Sequence, residues 1–103
     1  MTALREYTFR KVENMDLNDY RKEIDSIDEQ IVSLFSKRME IAKKIGEYKK
    51  KNGLEVLDSK REEEKLKRIS ELAGEKMQGY CLALYDLIME TSRDYQKNHM
   101  YLR

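Results

Sequence analysis

Residues 24–49 read IDSIDEQIVSLFSKRMEIAKKIGEYK, and the reading of this stretch decides the fold. Its apolar residues Ile24, Ile27, Ile31, Leu34, Phe35, Ile41, Ala42 and Ile45 recur at i, i+3, i+4 and i+7, the spacing of one buried helical face. Arg38 stands one turn past Leu34, and Lys49 one turn past Ile45. Both cations are in line with the apolar stripe. A charge held against a core is costly to desolvate unless it is paired. The stretch therefore predicts a core with a polar hole lined by cations, and an anion is its simplest occupant.

The helix extends to both sides of this stretch. Asp16 and Asn18 are candidate N-caps and Gly53 is a C-terminal stop, so the first helix is expected over about residues 17–52. Gly46 lies inside it and lowers helix propensity by about 1 kcal/mol relative to Ala. A close approach by another helix would account for it. A short connection, residues 53–58, leads to a second helix capped by Asp58 or Ser59, with Glu62 and Glu63 in its first turn. Leu66, Ile69 and Leu72 share one face of that helix, which is expected to end near Gly74. A third helix is expected from about Lys76 to Asn98, with Met77, Cys81, Leu84, Tyr85, Ile88, Ser92 and Tyr95 as its stripe.

Proline is absent and glycine occurs only at positions 46, 53, 74 and 79, a composition that permits long helices. The expected fold class is all-α, with three helices per chain and a long first helix. That helix forms a rod of roughly 50 Å at 1.5 Å per residue. A compact domain of this length has a radius of gyration of about 13 Å. Its own shorter helices cannot cover such a rod, so a second copy is expected to do so. The expected assembly is an intertwined helical-bundle homodimer. Residues 1–15 show no sustained periodicity and read as a flexible N-terminal extension, with Met15 an alternative start. Residues 16–103 read as the helical domain.

Charged residues make up 40% of the chain, yet the formal net charge is +1. A nucleic-acid binder normally carries a clear basic excess, so nucleic acid is not an expected partner. Lys49, Lys50 and Lys51 are flanked by Glu47 and Glu55 and read as a solvated helix end. No apolar run is long enough to span a membrane, and the N-terminus shows no secretory apolar region. Cys81, the single cysteine, excludes an internal disulfide and fits a reducing, cytoplasmic setting. It falls on an apolar face and reads as a small core residue. His99 stands alone without metal-ligand spacing, so no metal is assigned. Neither a Gly-rich phosphate loop nor a nucleophile motif is present.

The other helices also turn polar groups toward their apolar faces. Asp58 and Glu62 fall in line with Leu66 and Ile69, with Arg61 to one side. Ser92 follows Ile88 by one turn, and Gln96 lies at the edge of the stripe one turn later. Any one of these can be explained as a member of a structural ion-pair network. Arg38, Lys49, Asp58, Glu62, Ser92 and Gln96 together are explained more economically by a small polar ligand, because buried ion pairs are seldom better than apolar packing. Arginine suits bidentate carboxylate binding, and lysine supplies a movable point charge.

Taken in order, these residues resemble the all-helical class of chorismate mutases over about residues 17–98. The pattern is Arg21-Lys22-Glu23-Ile24, Ile27-Asp28, Lys37-Arg38, Gly46, Lys49, Asp58, Arg61-Glu62, Glu90-Thr91-Ser92 and Gln96. The resemblance implies conversion of chorismate to prephenate, a step toward phenylalanine and tyrosine. It implies that Arg38 and, from the other subunit, Arg21 bind the carboxylates of this dicarboxylate substrate, with Ser92 on the ring carboxylate. Lys49 and Gln96 would hydrogen-bond the ether oxygen. Glu62 and Lys49 would contact the ring hydroxyl, and Asp58 and Arg61 would complete the wall. Lys49, Gln96 and Glu62 are thus the expected catalytic residues. Arg21, Arg38, Asp58, Arg61 and Ser92 are the expected substrate-binding residues. The implied reaction is a unimolecular pericyclic rearrangement that needs no cofactor. Two alternatives stand beside this reading: an isochorismate pyruvate lyase on the same scaffold, and a non-catalytic helical dimerisation module.

Overall fold

A computed structural model describes residues 14–101, with side chains through Asn98. Most of the expected N-terminal extension, residues 1–13, and the His99 side chain lie outside the described residues. Two helical elements carry the chain: α1, Leu17–Lys51, and α2, Ser59–Tyr101. No strand occurs among the described residues, so the all-α expectation holds.

Local chemistry fixes both ends of α1. The Asp19 amide donates to Asp16 Oδ1 at 3.0 Å, and the Asp16 amide donates back to Asp19 Oδ2 at 3.1 Å. This reciprocal cap satisfies backbone donors that the first turn would otherwise leave open. At the other end Gly53 adopts φ 66°. The Leu54 amide donates to the Lys49 carbonyl at 2.8 Å, and that of Gly53 to the Lys50 carbonyl at 3.3 Å. This is the Schellman arrangement, and glycine supplies its left-handed residue without a Cβ penalty. Asp58 caps α2: its Oδ1 accepts the Arg61 amide at 3.1 Å, and its carbonyl accepts the Glu62 amide at 3.0 Å.

The expectation of three helices is corrected to two helical elements. Gly74 does interrupt the second, with φ 78° and ψ 171°. However, no loop follows it, and the chain resumes helical geometry at once. A single glycine in a conformation barred to other residues suffices to turn the axis. Gln78 Nε2 donates to Ser70 Oγ across this break.

The described residues fall into two compact units that divide between Arg38 and Met39. In the first, the apolar stripe read as buried is open: Ile24 is 56% exposed and Leu34 63%. In the second, Ala42, Ile69 and Met89 are buried, while Ile41 and Ile45, also expected in the core, are exposed. The physical reason is geometric. These side chains share one face of α1, and a chain of two helical elements presents too little apolar surface to cover it. The expected stripe of α2 holds in part: Ser92 is buried and Cys81, Tyr85, Ile88 and Tyr95 are half-buried, but Met77 and Leu84 are exposed, and Met89, beside that stripe, is buried.

Candidate functional site

The second unit holds six of the eight expected site residues on three pieces of chain. The last turns of α1 carry Lys49, the start of α2 carries Asp58, Arg61 and Glu62, and the far arm of α2 carries Ser92 and Gln96. Arg21 and Arg38 belong to the first unit, where Arg21 is exposed and Arg38 half-buried.

Among the described residues Ser92 and Gln96 are the most deeply buried polar ones, at 6% and 7% exposure. They stand one turn apart and continue the line of Met89. The Ser92 hydroxyl donates toward the Met39 sulfur at 3.9 Å, a weak contact. Gln96 packs directly on Gly46. A Cβ placed on Gly46 would lie 3.1 Å from both Cβ and Cγ of Gln96 and 3.4 Å from its Cα. The glycine read in the sequence as a close-approach residue thus admits α2 to contact with α1. The far end of Gln96 is a different matter, since its Oε1 is buried without a hydrogen-bond partner. Burying an unpaired amide group costs about 1–3 kcal/mol. Turning the amide by half a rotation puts Nε2, a donor, at the same place. A buried amide atom with no internal partner is suited, in that turned orientation, to hydrogen-bonding a ligand oxygen.

Lys49 lies one turn beyond Gly46 and is half-buried. Its Nζ donates to the Val56 carbonyl at 2.6 Å, which ties the ammonium to the connection between α1 and α2. One of three N–H donors is used there, leaving two. Glu62 is also half-buried and accepts from the Arg93 guanidinium. Arg93 Nη1 lies 2.6 Å from Oε1 and 2.5 Å from Oε2. Asp58 and Arg61 are exposed, and the Asp58 carboxylate serves as the N-cap already described.

Arg93 is the functional candidate that sequence reasoning missed. The signal existed: Arg93 follows the buried Met89 by one turn, as Arg38 follows Leu34. It went unused because Met89 was not placed on the expected stripe.

The electrostatic character is mixed. Arg93 is spent on Glu62, while Lys49 holds only a neutral carbonyl. A lysine so placed keeps its charge for an anion or a developing negative oxygen. Among the described residues no cluster of three metal-ligating side chains occurs, and no helix is long and apolar enough to cross a membrane.

Comparison with known proteins sets this geometry in a family. The family described as chorismate mutase type II matches residues 20–97. A bifunctional chorismate mutase/prephenate dehydratase of Aquifex aeolicus is 43% identical over 60 residues, covering 58% of this chain and 17% of the relative. A T-protein of Haemophilus influenzae is 41% identical over 46 residues, 45% of this chain and 12% of the relative. These relatives are much longer, and the chain spans a fifth or less of each. A chorismate mutase of Methanocaldococcus jannaschii is 29% identical over 86 residues, covering 82% of this chain and 87% of the relative. No solved structure gives a significant match.

Proposed function

This chain belongs to the chorismate mutase type II family, and on that premise we propose that it rearranges chorismate to prephenate in a site built by two copies of the chain. The observation that carries the reading is the buried Ser92–Gln96 pair. Its unpartnered amide stands over Gly46, with Lys49 one turn further along α1.

The reaction breaks the ether C–O bond of chorismate and forms a C–C bond within one molecule. No proton need move and no covalent intermediate forms. The protein therefore has two tasks. The first is to fold an extended dicarboxylate into the reactive chair-like shape, which is catalysis by orientation. Arg38, with Arg21 of the partner subunit, holds the carboxylates, and Ser92 supports the ring carboxylate. The second is to stabilise the negative charge that grows on the ether oxygen. Lys49 and Gln96 donate to that oxygen more strongly in the transition state than in the ground state. Glu62 and Lys49 meet the ring hydroxyl, and Asp58 and Arg61 close the wall.

Two copies are required because the lone chain leaves its apolar stripe open. Ile24, Ile31, Leu34, Ile41 and Ile45 are all exposed. Covering one such side chain fully contributes about 1.5–3 kcal/mol. Five in a row on one helix face favour a second α1 as their cover. A lone Cys81 supports a reducing, cytoplasmic setting.

The test is to mix the purified chain with chorismate and identify the product. Prephenate formation that falls by several powers of ten in a folded Lys49→Ala variant is the expected result, each 1.36 kcal/mol of barrier being about tenfold. Untouched chorismate, or near-normal turnover in Lys49→Ala, would refute the reading. Pyruvate release from isochorismate without prephenate formation from chorismate would identify the lyase instead.

A further inference from the structure

Glu62 poses an electrostatic problem for a site that accepts a dianion. A bare carboxylate beside the substrate would repel it, and a mobile one would not meet a hydroxyl reliably. Arg93 answers both difficulties. One nitrogen, Nη1, contacts both oxygens of Glu62 at 2.6 and 2.5 Å. The two side chains are 28% and 25% exposed, shielded enough that the contact is worth more than a surface pair. By contrast, Arg68 and Glu71 lie 3.9 Å apart and are mostly exposed. Arg93 reaches past the carboxylates of its own helix, Glu90 and Asp94, with which it lines a depression. It joins the start of α2 to its far arm, 31 residues away, directly beside the buried Ser92.

We propose that Arg93 is a positioning residue for this site: it fixes the Glu62 carboxylate in one orientation and cancels its charge toward a dicarboxylate substrate. The inference rests on the functional reading above, since it needs Glu62 to face the substrate. It differs from a clamp that only staples the two arms of α2, because the charge of Arg93 matters and not merely its bulk. The single-nitrogen contact makes a specific demand as well. A lysine ammonium supplies one nitrogen and one positive charge, so it can replace the guanidinium where a neutral side chain cannot.

The experiment measures chorismate kinetics and thermal unfolding for the wild type, Arg93→Met, Arg93→Lys, Glu62→Gln and the Glu62→Gln/Arg93→Met double variant. Methionine keeps much of the arginine stem's packing without its charge. The expected result is a KM for Arg93→Met raised tenfold or more, while Arg93→Lys stays within about threefold of wild type. In the double variant the uncompensated carboxylate is gone, so KM returns toward that of Glu62→Gln alone, a non-additive cycle. An unchanged KM in Arg93→Met overturns the proposal, as do single effects that multiply in the double variant. Equal losses in Arg93→Met and Arg93→Lys that track their melting temperatures would show a staple only. A wild-type chain that leaves chorismate untouched overturns the functional reading and this proposal together. A wild-type chain that converts it while Arg93→Met behaves normally overturns only the proposal.

Discussion

Replacing Gly46 by alanine sets two forces of similar size against each other, and the geometry says which prevails. Alanine is favoured over glycine in a helix interior by about 1 kcal/mol, and Gly46 lies well inside α1. The new Cβ, however, would stand 3.1 Å from Cβ and Cγ of Gln96 and 3.4 Å from its Cα. Carbon atoms pack best at about 3.5–4.0 Å, so the contacts to Cβ and Cγ are too short, while that to Cα is at the edge of ordinary packing. The Cγ can swing aside, but the Cβ, fixed to the backbone, moves only if α2 moves. Overpacking of this kind costs about 1–3 kcal/mol. The net expectation is a loss between zero and about 2 kcal/mol, or a fall of up to ~15 °C in Tm at about 4–8 °C per kcal/mol. Activity should suffer out of proportion. Gln96 must shift by a few tenths of an ångström, and a misplacement of about 1 Å can cost ~100-fold in rate. A fall in kcat of about tenfold is therefore expected in protein that is still folded. Gly79→Ala is the internal control, because nothing lies within 4 Å of its added Cβ. That variant should gain close to the full helix-propensity term, with kcat unchanged. Melting curves at one fixed protein concentration and steady-state kinetics on the three proteins decide the matter. If Gly46→Ala gains as much stability as Gly79→Ala and keeps its kcat, the close contact does not govern Gln96 and the reasoning fails.

Three further outcomes are expected. Asp58→Ala removes the α2 cap, in which Oδ1 accepts the Arg61 amide, and should lower stability by about 1 kcal/mol. Asp58→Asn should retain most of it, as denaturant midpoints will show. Gly74→Ala forces a Cβ into φ 78°, ψ 171° and should destabilise by about 1–3 kcal/mol, despite the open space around that residue. A gain in Tm would mean that the break is not held in this conformation. If sites are shared between copies, mixing inactive Arg21→Ala and Arg38→Ala subunits should restore activity, because one site of each heterodimer then keeps both arginines. No recovery after demonstrated subunit exchange would count against sharing.

What could be read from the sequence follows from how local each determinant is. Caps are local: Asp58 and Gly53 announced their roles because a side-chain acceptor before a helix and a glycine after one act within a few residues. Gly46 was legible as a close approach because glycine inside a helix needs a compensating reason, although its partner Gln96 was not. Gly74 marked a break correctly, but a break and a loop share one sequence signal. Glu75 and Lys76 are good helix formers, and the helix resumes with them. The far arm of α2 was read only in part, with Ser92 and Gln96 rightly turned inward but Met89 overlooked, because apolar residues occupy most of its sides. Tyr80, Leu84 and Leu87 are exposed while Met89 is buried, and no single stripe dominates from which to choose. The omission of Met89 extended to Arg93, whose significance depends on knowing that Met89 faces inward.

The exposed stripe of α1 and the unpartnered amide of Gln96 have a common logic. Each is a group that the single chain places carefully and then leaves unsatisfied: apolar side chains without cover, and a buried oxygen without a donor. A stable fold normally removes both, since open apolar faces invite association and buried polar groups without partners cost free energy. Substituting Gln96 by leucine or methionine would relieve the second defect by simple apolar packing, removing the cost of a buried polar group without a partner. The sequence keeps the amide at 7% exposure instead. That choice makes sense if the amide's partner arrives with the substrate and is most strongly bound when charge develops on it. The open stripe makes sense in the same way if, as proposed, a second copy covers it. On this argument stability is withheld from the isolated chain at just the places where assembly and substrate are meant to supply it. Gln96→Leu should then melt no lower than the wild type while losing most of its kcat. A variant that both unfolds more easily and keeps its rate would show that the amide serves the fold rather than the reaction.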